Sequence, residues 1–115
     1  MILKDTFYTV GNIQQTPTGY EVRVTLNPAH SVYAGHFPQQ PVVPGMCTLT
    51  IIREVLGDIL GAEVIFRQIR ECKFVSAVIP REGLALDLSI TLSDNQVRCI
   101  IMEEDKVVLK LKAEI

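Results

Sequence analysis

Only one stretch of this chain has the periodicity of a helix. Between Met46 and Leu60 the apolar residues Met46, Leu49, Ile52, Leu56 and Ile59 or Leu60 recur at three- and four-residue steps, with Arg53, Glu54 and Asp58 between them. That spacing gives a helix of about four turns with one face turned to a core. Gly61 follows the last apolar position, where a left-handed residue ends a helix. The convincing segments elsewhere are β-rich runs. Tyr20, Val22, Val24 and Leu26 alternate with Glu21, Arg23 and Thr25, so one strand face is buried and the other wet. A chain with one helix and several such strands must cover its sheet with the helix it has. At 115 residues it has room for one core and one domain, taken as residues 1–115. We expect an α+β fold in which a curved antiparallel sheet wraps round one central helix.

The strands read in order along the chain. Phe7 to Gln14 and Tyr20 to Leu26 form a hairpin about Thr16-Pro17-Thr18-Gly19. Beyond the helix, Glu63 to Ile79 is a long extended run. Leu84 to Leu92, Gln96 to Met102 and Val107 to Ile115 follow it, with turns at Ser93-Asp94-Asn95 and Glu103-Glu104-Asp105-Lys106. Four strands in succession predict a meander.

Charge and composition exclude several roles. Eleven Lys and Arg against thirteen Asp and Glu give a formal net charge of −2, with neither sign gathered into a block. No broad grip on nucleic acid or an anionic membrane is expected. The uncharged run from Val24 to Ile52 is broken by prolines, glycines, His30 and His36, so no span crosses a bilayer. Met1 to Asp5 lacks a basic region followed by an apolar stretch, and a cytoplasmic protein is expected. Cys47, Cys72 and Cys99 are odd in number and widely spaced, which predicts buried reduced thiols rather than a disulfide framework or a metal site. No metal or cofactor is expected.

From Asn27 to Gly45 periodicity vanishes, and four prolines and two glycines fall within nineteen residues. A stiff loop of this length is the first place to look for function. His36 is its natural general base, since an imidazole with a pKa near 6.5 is largely neutral and still basic at neutral pH. Pro38, Pro41 and Pro44 restrict the backbone around it. Gly45 and Met46 then open the helix, where free N–H groups at the positive end of the dipole can polarise a carbonyl. His30, six residues earlier, is expected in a capping or turn role.

The segment Gly35-His36-Phe37-Pro38-x-x-Pro41-Val42-x-Pro44-Gly45 resembles the signature of the 3-hydroxyacyl-(acyl carrier protein) dehydratases, with eight fixed positions in eleven residues. The resemblance extends over the following helix and the strand from Phe74 to Pro80 with its Pro80-Arg81-Glu82-Gly83 turn. It implies the hot dog fold, and a homodimer or larger assembly in which two subunits pair their sheets. The active site then lies at the interface, with a histidine from one chain and a carboxylate from the other. His36 matches the histidine, and Gly45 matches the glycine whose N–H meets the thioester carbonyl. Phe37, Pro38, Val43, Pro44 and Met46 are carried over as substrate-binding positions. Two departures stand out. Gln39 takes the place of a usual glycine, and Thr50 stands fourteen residues after the histidine, where the family has Glu or Asp. Glu54 is the nearest carboxylate on the helix. The implied reaction is elimination of water from a 3-hydroxyacyl thioester of acyl carrier protein or coenzyme A, with Thr50 and a water, or Glu54, assisting loss of the hydroxyl. Two alternatives remain: a binding subunit without turnover, paired with a catalytic homologue, or a thioesterase on the same fold.

Overall fold

A computed structural model describes residues 2–33 and 41–115. Among these, six strands and one α-helix follow in chain order: β1 Tyr8–Gln15, β2 Gly19–Leu26, α1 Gly45–Leu60, β3 Gln68–Phe74, β4 Ala85–Ser93, β5 Gln96–Glu103 and β6 Lys106–Glu114. All pair antiparallel in one sheet, ordered β1-β2-β4-β5-β6-β3. The inward residues Val22, Val24, Leu86, Leu88, Ile90, Val97, Cys99, Ile101, Leu109 and Leu111 are all buried. They close on the buried face of α1, and the sheet curls round its single helix as a hot dog fold.

The hairpin forms as expected. Thr16 N–H donates to the Gly19 carbonyl at 2.9 Å, and its hydroxyl accepts from Gly19 N–H at 3.0 Å. Two-residue loops join β4 to β5 and β5 to β6, with Asp94 and Glu104 each at φ 54°. The helix ends at Gly61, φ 71°, and Ala62 N–H closes onto the Gly57 carbonyl at 3.2 Å.

Three expectations need correction. The run Glu63 to Ile79 is not one strand, because only Gln68–Phe74 enters the sheet. Nor do four strands form a meander. β4, β5 and β6 do, but β3 pairs with β6 at the far edge, and residues 75–84 carry the chain across to lay β4 beside β2. Val75 N–H still reaches the Val108 carbonyl at 2.8 Å, and Val78, off the sheet, takes the Val43 N–H at 2.9 Å. The buried stripe of α1 is also turned from the expected one. Cys47, Thr48, Ile51, Ile52, Val55 and Leu56 face the sheet, Leu49 and Ile59 flank it, and Met46 is 69% exposed. Paired i, i+1, i+4, i+5 positions suit a helix clasped by a concave sheet, which touches a broader arc than one strict stripe. Of the cysteines, Cys47 and Cys99 are buried thiols, whereas Cys72 is half-buried.

Candidate functional site

The start of α1 is open. Pro44 precedes it in extended backbone with no side-chain cap. Cys47 N–H donates to the Pro44 carbonyl at 2.9 Å, and Thr48 N–H approaches the same oxygen at 3.4 Å. Gly45 and Met46 N–H have no acceptor among the described residues. These are the amides at which a helix offers partial positive charge. Thr48, buried, spends its hydroxyl on the Gly45 carbonyl at 2.6 Å.

A cavity of about 590 Å³ borders this end of the helix, a volume typical of small-molecule sites. Its lining is mostly apolar, including Val43, Leu49, Phe74, Val78 and Val108. Gly45 is required by a close approach: a Cβ there would lie 2.8 Å from Phe74 Cε1. The Phe74 ring therefore rests against the bare α-carbon at the helix start, and it is itself 55% exposed at the end of the edge strand β3.

Of the residues singled out from sequence, Val43, Gly45 and Met46 come together at this cavity, and Pro44 adjoins it. His36, Phe37 and Pro38 lie outside the described residues, as does Gln39. Thr50 is half-buried and does not line the cavity; its hydroxyl donates back to the Met46 carbonyl at 2.9 Å. Glu54, the nearest carboxylate on the helix, does not line the cavity either. One carboxylate oxygen accepts from Leu3 N–H at 2.9 Å and the other from the Tyr8 hydroxyl at 3.0 Å. It lies nine residues beyond Gly45, about 13 Å along the axis, beside a separate cleft with Lys4, Arg53 and Asp58. Burial and the Glu54 charge push the Tyr8 phenol well up, which keeps it a donor. His30 serves its turn: Nδ1 accepts from Val32 N–H at 3.0 Å, and the ring meets Phe7 edge-on at 5.3 Å.

Sequence reasoning gave no role to Tyr33, Phe74, Val78 or Val108. The last three come from strands and a crossover remote in the chain, and no local signal marks them. Tyr33 carried one, an aromatic hydroxyl directly before the Ala34-Gly35-His36 segment. Its side chain is buried in the core, and its hydroxyl has no partner among the described residues. Among the described residues no helix is long and apolar enough to cross a membrane.

Comparison with known proteins places this arrangement. The chain is 31% identical over 72 residues to the 3-hydroxyacyl-[acyl-carrier-protein] dehydratase FabZ of Ruegeria sp. (strain TM1040), covering 55% of this chain and 44% of that protein. It is 33% identical over 67 residues to the protein of the same name from Geobacillus thermodenitrificans (strain NG80-2), covering 52% and 46%. The matches thus span under half the length of these relatives. Among solved structures, the dehydratase heterocomplex ApeI:P from Xenorhabdus doucetiae superposes with a TM-score of 0.79 at 20% identity, over 92% of this chain and 95% of that one, which shows the shared fold. The family model described as ApeI-like, ApeI dehydratase, matches residues 12–112. That match takes in β2 to β5, the helix start with its cavity, the second half of β1 and most of β6, and on it the chain belongs to the ApeI-like dehydratase family.

Proposed function

We propose that this chain binds 3-hydroxyacyl thioesters of acyl carrier protein or coenzyme A and eliminates water from them to give the trans-2-enoyl thioester. The observation that carries this reading is the apolar cavity opening onto uncapped amides at Gly45 and Met46, nine residues after His36 in a family-type segment. The acyl chain takes the cavity. The thioester carbonyl meets Gly45 N–H, where the helix dipole favours the negative charge that gathers on oxygen as the α-proton leaves. His36 accepts that proton. The C2–H electron pair becomes the C2=C3 double bond, the C3–O bond breaks, and the hydroxyl departs as water with the proton that His36 accepted from C2. Phe37, Pro38, Val43, Pro44 and Met46 surround the thioester.

Thr50, with a bound water, assists the departure. As the resemblance implies, it acts in the site of a second subunit, which agrees with its position outside its own cavity. A homodimer, or a larger assembly, also covers the exposed Met46, Phe74 and Val75 and the open edge of β3. A cytoplasmic setting fits the three free cysteines.

A second reading, an acyl thioester binding subunit working beside a catalytic homologue, is favoured by Thr50 in the place of a carboxylate and by the heterocomplex named for the structural neighbour. One assay separates the two. Purified protein is incubated with 3-hydroxyacyl thioesters and the enoyl product sought by mass spectrometry. Turnover that vanishes in a folded His36→Asn variant supports the dehydratase; unaltered turnover in that variant removes His36 from the mechanism. Inert native protein that gains activity as Thr50→Glu supports the binding subunit, since a positioned acid contributes about 10²–10⁴-fold.

A further inference from the structure

The net charge of −2 hides a cationic face. On the outer side of the sheet, cross-strand partners fall in rows. Lys73 on β3 stands opposite Lys110 on β6, which stands opposite Ile100 on β5; in the neighbouring row Glu71, Lys112 and Arg98 oppose one another in the same strand order. Cys99 and Leu111, between the rows, are buried, so the rows themselves turn outward. Lys73, Arg98, Lys110 and Lys112 are all exposed, with Ile100 41% exposed among them. Two direct cross-strand pairs are thus like-charged, Lys73 with Lys110 and Arg98 with Lys112, an arrangement that costs stability. The carboxylate in these rows is Glu71, 3.5 Å from Lys73. Arg98, Lys110 and Lys112 form no ion pair among the described residues.

The other half of the same face neutralises itself. Arg23 on β2 donates to both carboxylate oxygens of Asp87 on β4, at 2.8 and 3.0 Å, and the Ser89 hydroxyl donates to Glu21 at 2.7 Å. A lysine on an edge strand guards against unwanted strand pairing, which accounts for Lys73 on β3. It does not account for Lys110, Lys112 and Arg98, which lie on the interior strands β6 and β5.

We infer that this face docks the acidic surface of the protein that carries the acyl chain, so that carrier-bound thioesters are preferred over those of coenzyme A. The inference rests on the acyl thioester reading given above and deepens it. Neither the cavity at Gly45 nor the cleft at Lys4 includes these cations. They stand on the outward curve of the sheet, which envelops no small anion, whereas the surface of a second protein can lie along it. Unpaired cations ringing an exposed isoleucine select a carboxylate-rich partner and give it an apolar centre to rest on. Their position names the partner's task. Lys73 and Lys110 adjoin Phe74 and Leu109 in the chain, and Phe74 and Val108 line the cavity. A protein seated on these rows therefore lies beside the cavity that takes the acyl chain, where a carrier has to be and a nucleic acid or a membrane does not. Pairing of β3 with a second subunit extends the sheet and leaves its outer face open.

The test is calorimetric titration with an acidic acyl carrier protein bearing a 3-hydroxydecanoyl thioester, and with 3-hydroxydecanoyl-coenzyme A. The full chain is compared with a Lys110→Gln, Lys112→Gln double variant and with Arg98→Gln. The double variant is expected to bind the loaded carrier about tenfold more weakly and Arg98→Gln about threefold, and the native advantage should shrink as salt rises from about 50 to about 300 mM. Both variants should bind the coenzyme A thioester as the native protein does and melt no lower, since each removes a like-charge contact. Unchanged affinity of the variants for the loaded carrier overturns the inference. So does an equal loss toward the coenzyme A thioester, which would assign the cations to the coenzyme's phosphates, and so does a fall of several degrees in melting temperature, because the cations then serve the fold. Native protein that prefers phosphatidylglycerol vesicles to the loaded carrier overturns it as well. Native protein that binds the coenzyme A thioester but not the loaded carrier overturns the inference and leaves the acyl thioester reading standing; binding of neither ends both.

Discussion

At its first turn α1 meets the sheet through a bare glycine and an aromatic ring, borders an apolar cavity and leaves two amides without acceptors among the described residues. Two to three turns further on the same helix is tied down by polar contacts. Glu54 takes the Leu3 N–H and the Tyr8 hydroxyl, and Asp58 pairs with Lys4 at 2.7 Å. The later half thus spends its polar groups on holding the N-terminal segment, while the first-turn amides of Gly45 and Met46 meet no acceptor among the described residues. The difference teaches where chemistry can be placed. A helix pinned along its length can leave its first turn unsatisfied without losing its position, because the cost at one end is offset by packing at the other.

The largest expected effect breaks the pinned half. Glu54→Ala leaves the Leu3 N–H and the Tyr8 hydroxyl without their acceptor and should cost about 2–3 kcal/mol in urea unfolding. Ligand binding per folded molecule should be unchanged. If instead Glu54→Gln stays folded and loses turnover, Glu54 acts in catalysis and the division between the halves fails.

Gly45→Ala probes the open half. Its new methyl must push the Phe74 ring aside, at about 1 kcal/mol, and in a Phe74→Ala background the same substitution should cost nothing. Urea midpoints for the four proteins measure this coupling, and additive costs would show that the two residues do not touch.

A smaller effect is tied to alkaline pH. The folded Tyr8 phenol and Lys4 ammonium both titrate above their ordinary values of 10.0 and 10.5. Their contributions are fully present below those values and fall away as pH rises past them. Melting temperature should therefore hold from pH 7 to about 9 and drop beyond about 10, with a shallower drop in Tyr8→Phe. Smallest of all is Lys4→Met at neutral pH. The Lys4–Asp58 pair is solvent-exposed, and its loss should leave the melting temperature unchanged within error.

Much of this was legible in local pattern, and the failures have local causes. The Gly61 helix stop, the hairpin at Thr16 to Gly19 and the His30 turn each depend on neighbours within a few residues, which is what a sequence displays. Met46 misled because three- and four-residue spacing names several apolar stripes on a helix this rich in aliphatics, and only the sheet selects one of them. The Glu63 to Ile79 run misled because extended propensity says nothing about which residues find a partner strand.

The sequence by itself determined the kind of fold, one helical period among β-rich runs, and it pointed to a candidate site, a histidine-bearing proline loop leading to a glycine at the helix start. These are properties of short segments. The tertiary structure alone decided that β3 lies beside β6 rather than β4, that Phe74, Val78 and Val108 converge on Gly45, and that Glu54 belongs to the N-terminal segment. Each of these joins or isolates groups remote in the chain, and such contacts exist only once the sheet has curled round the helix and excluded water.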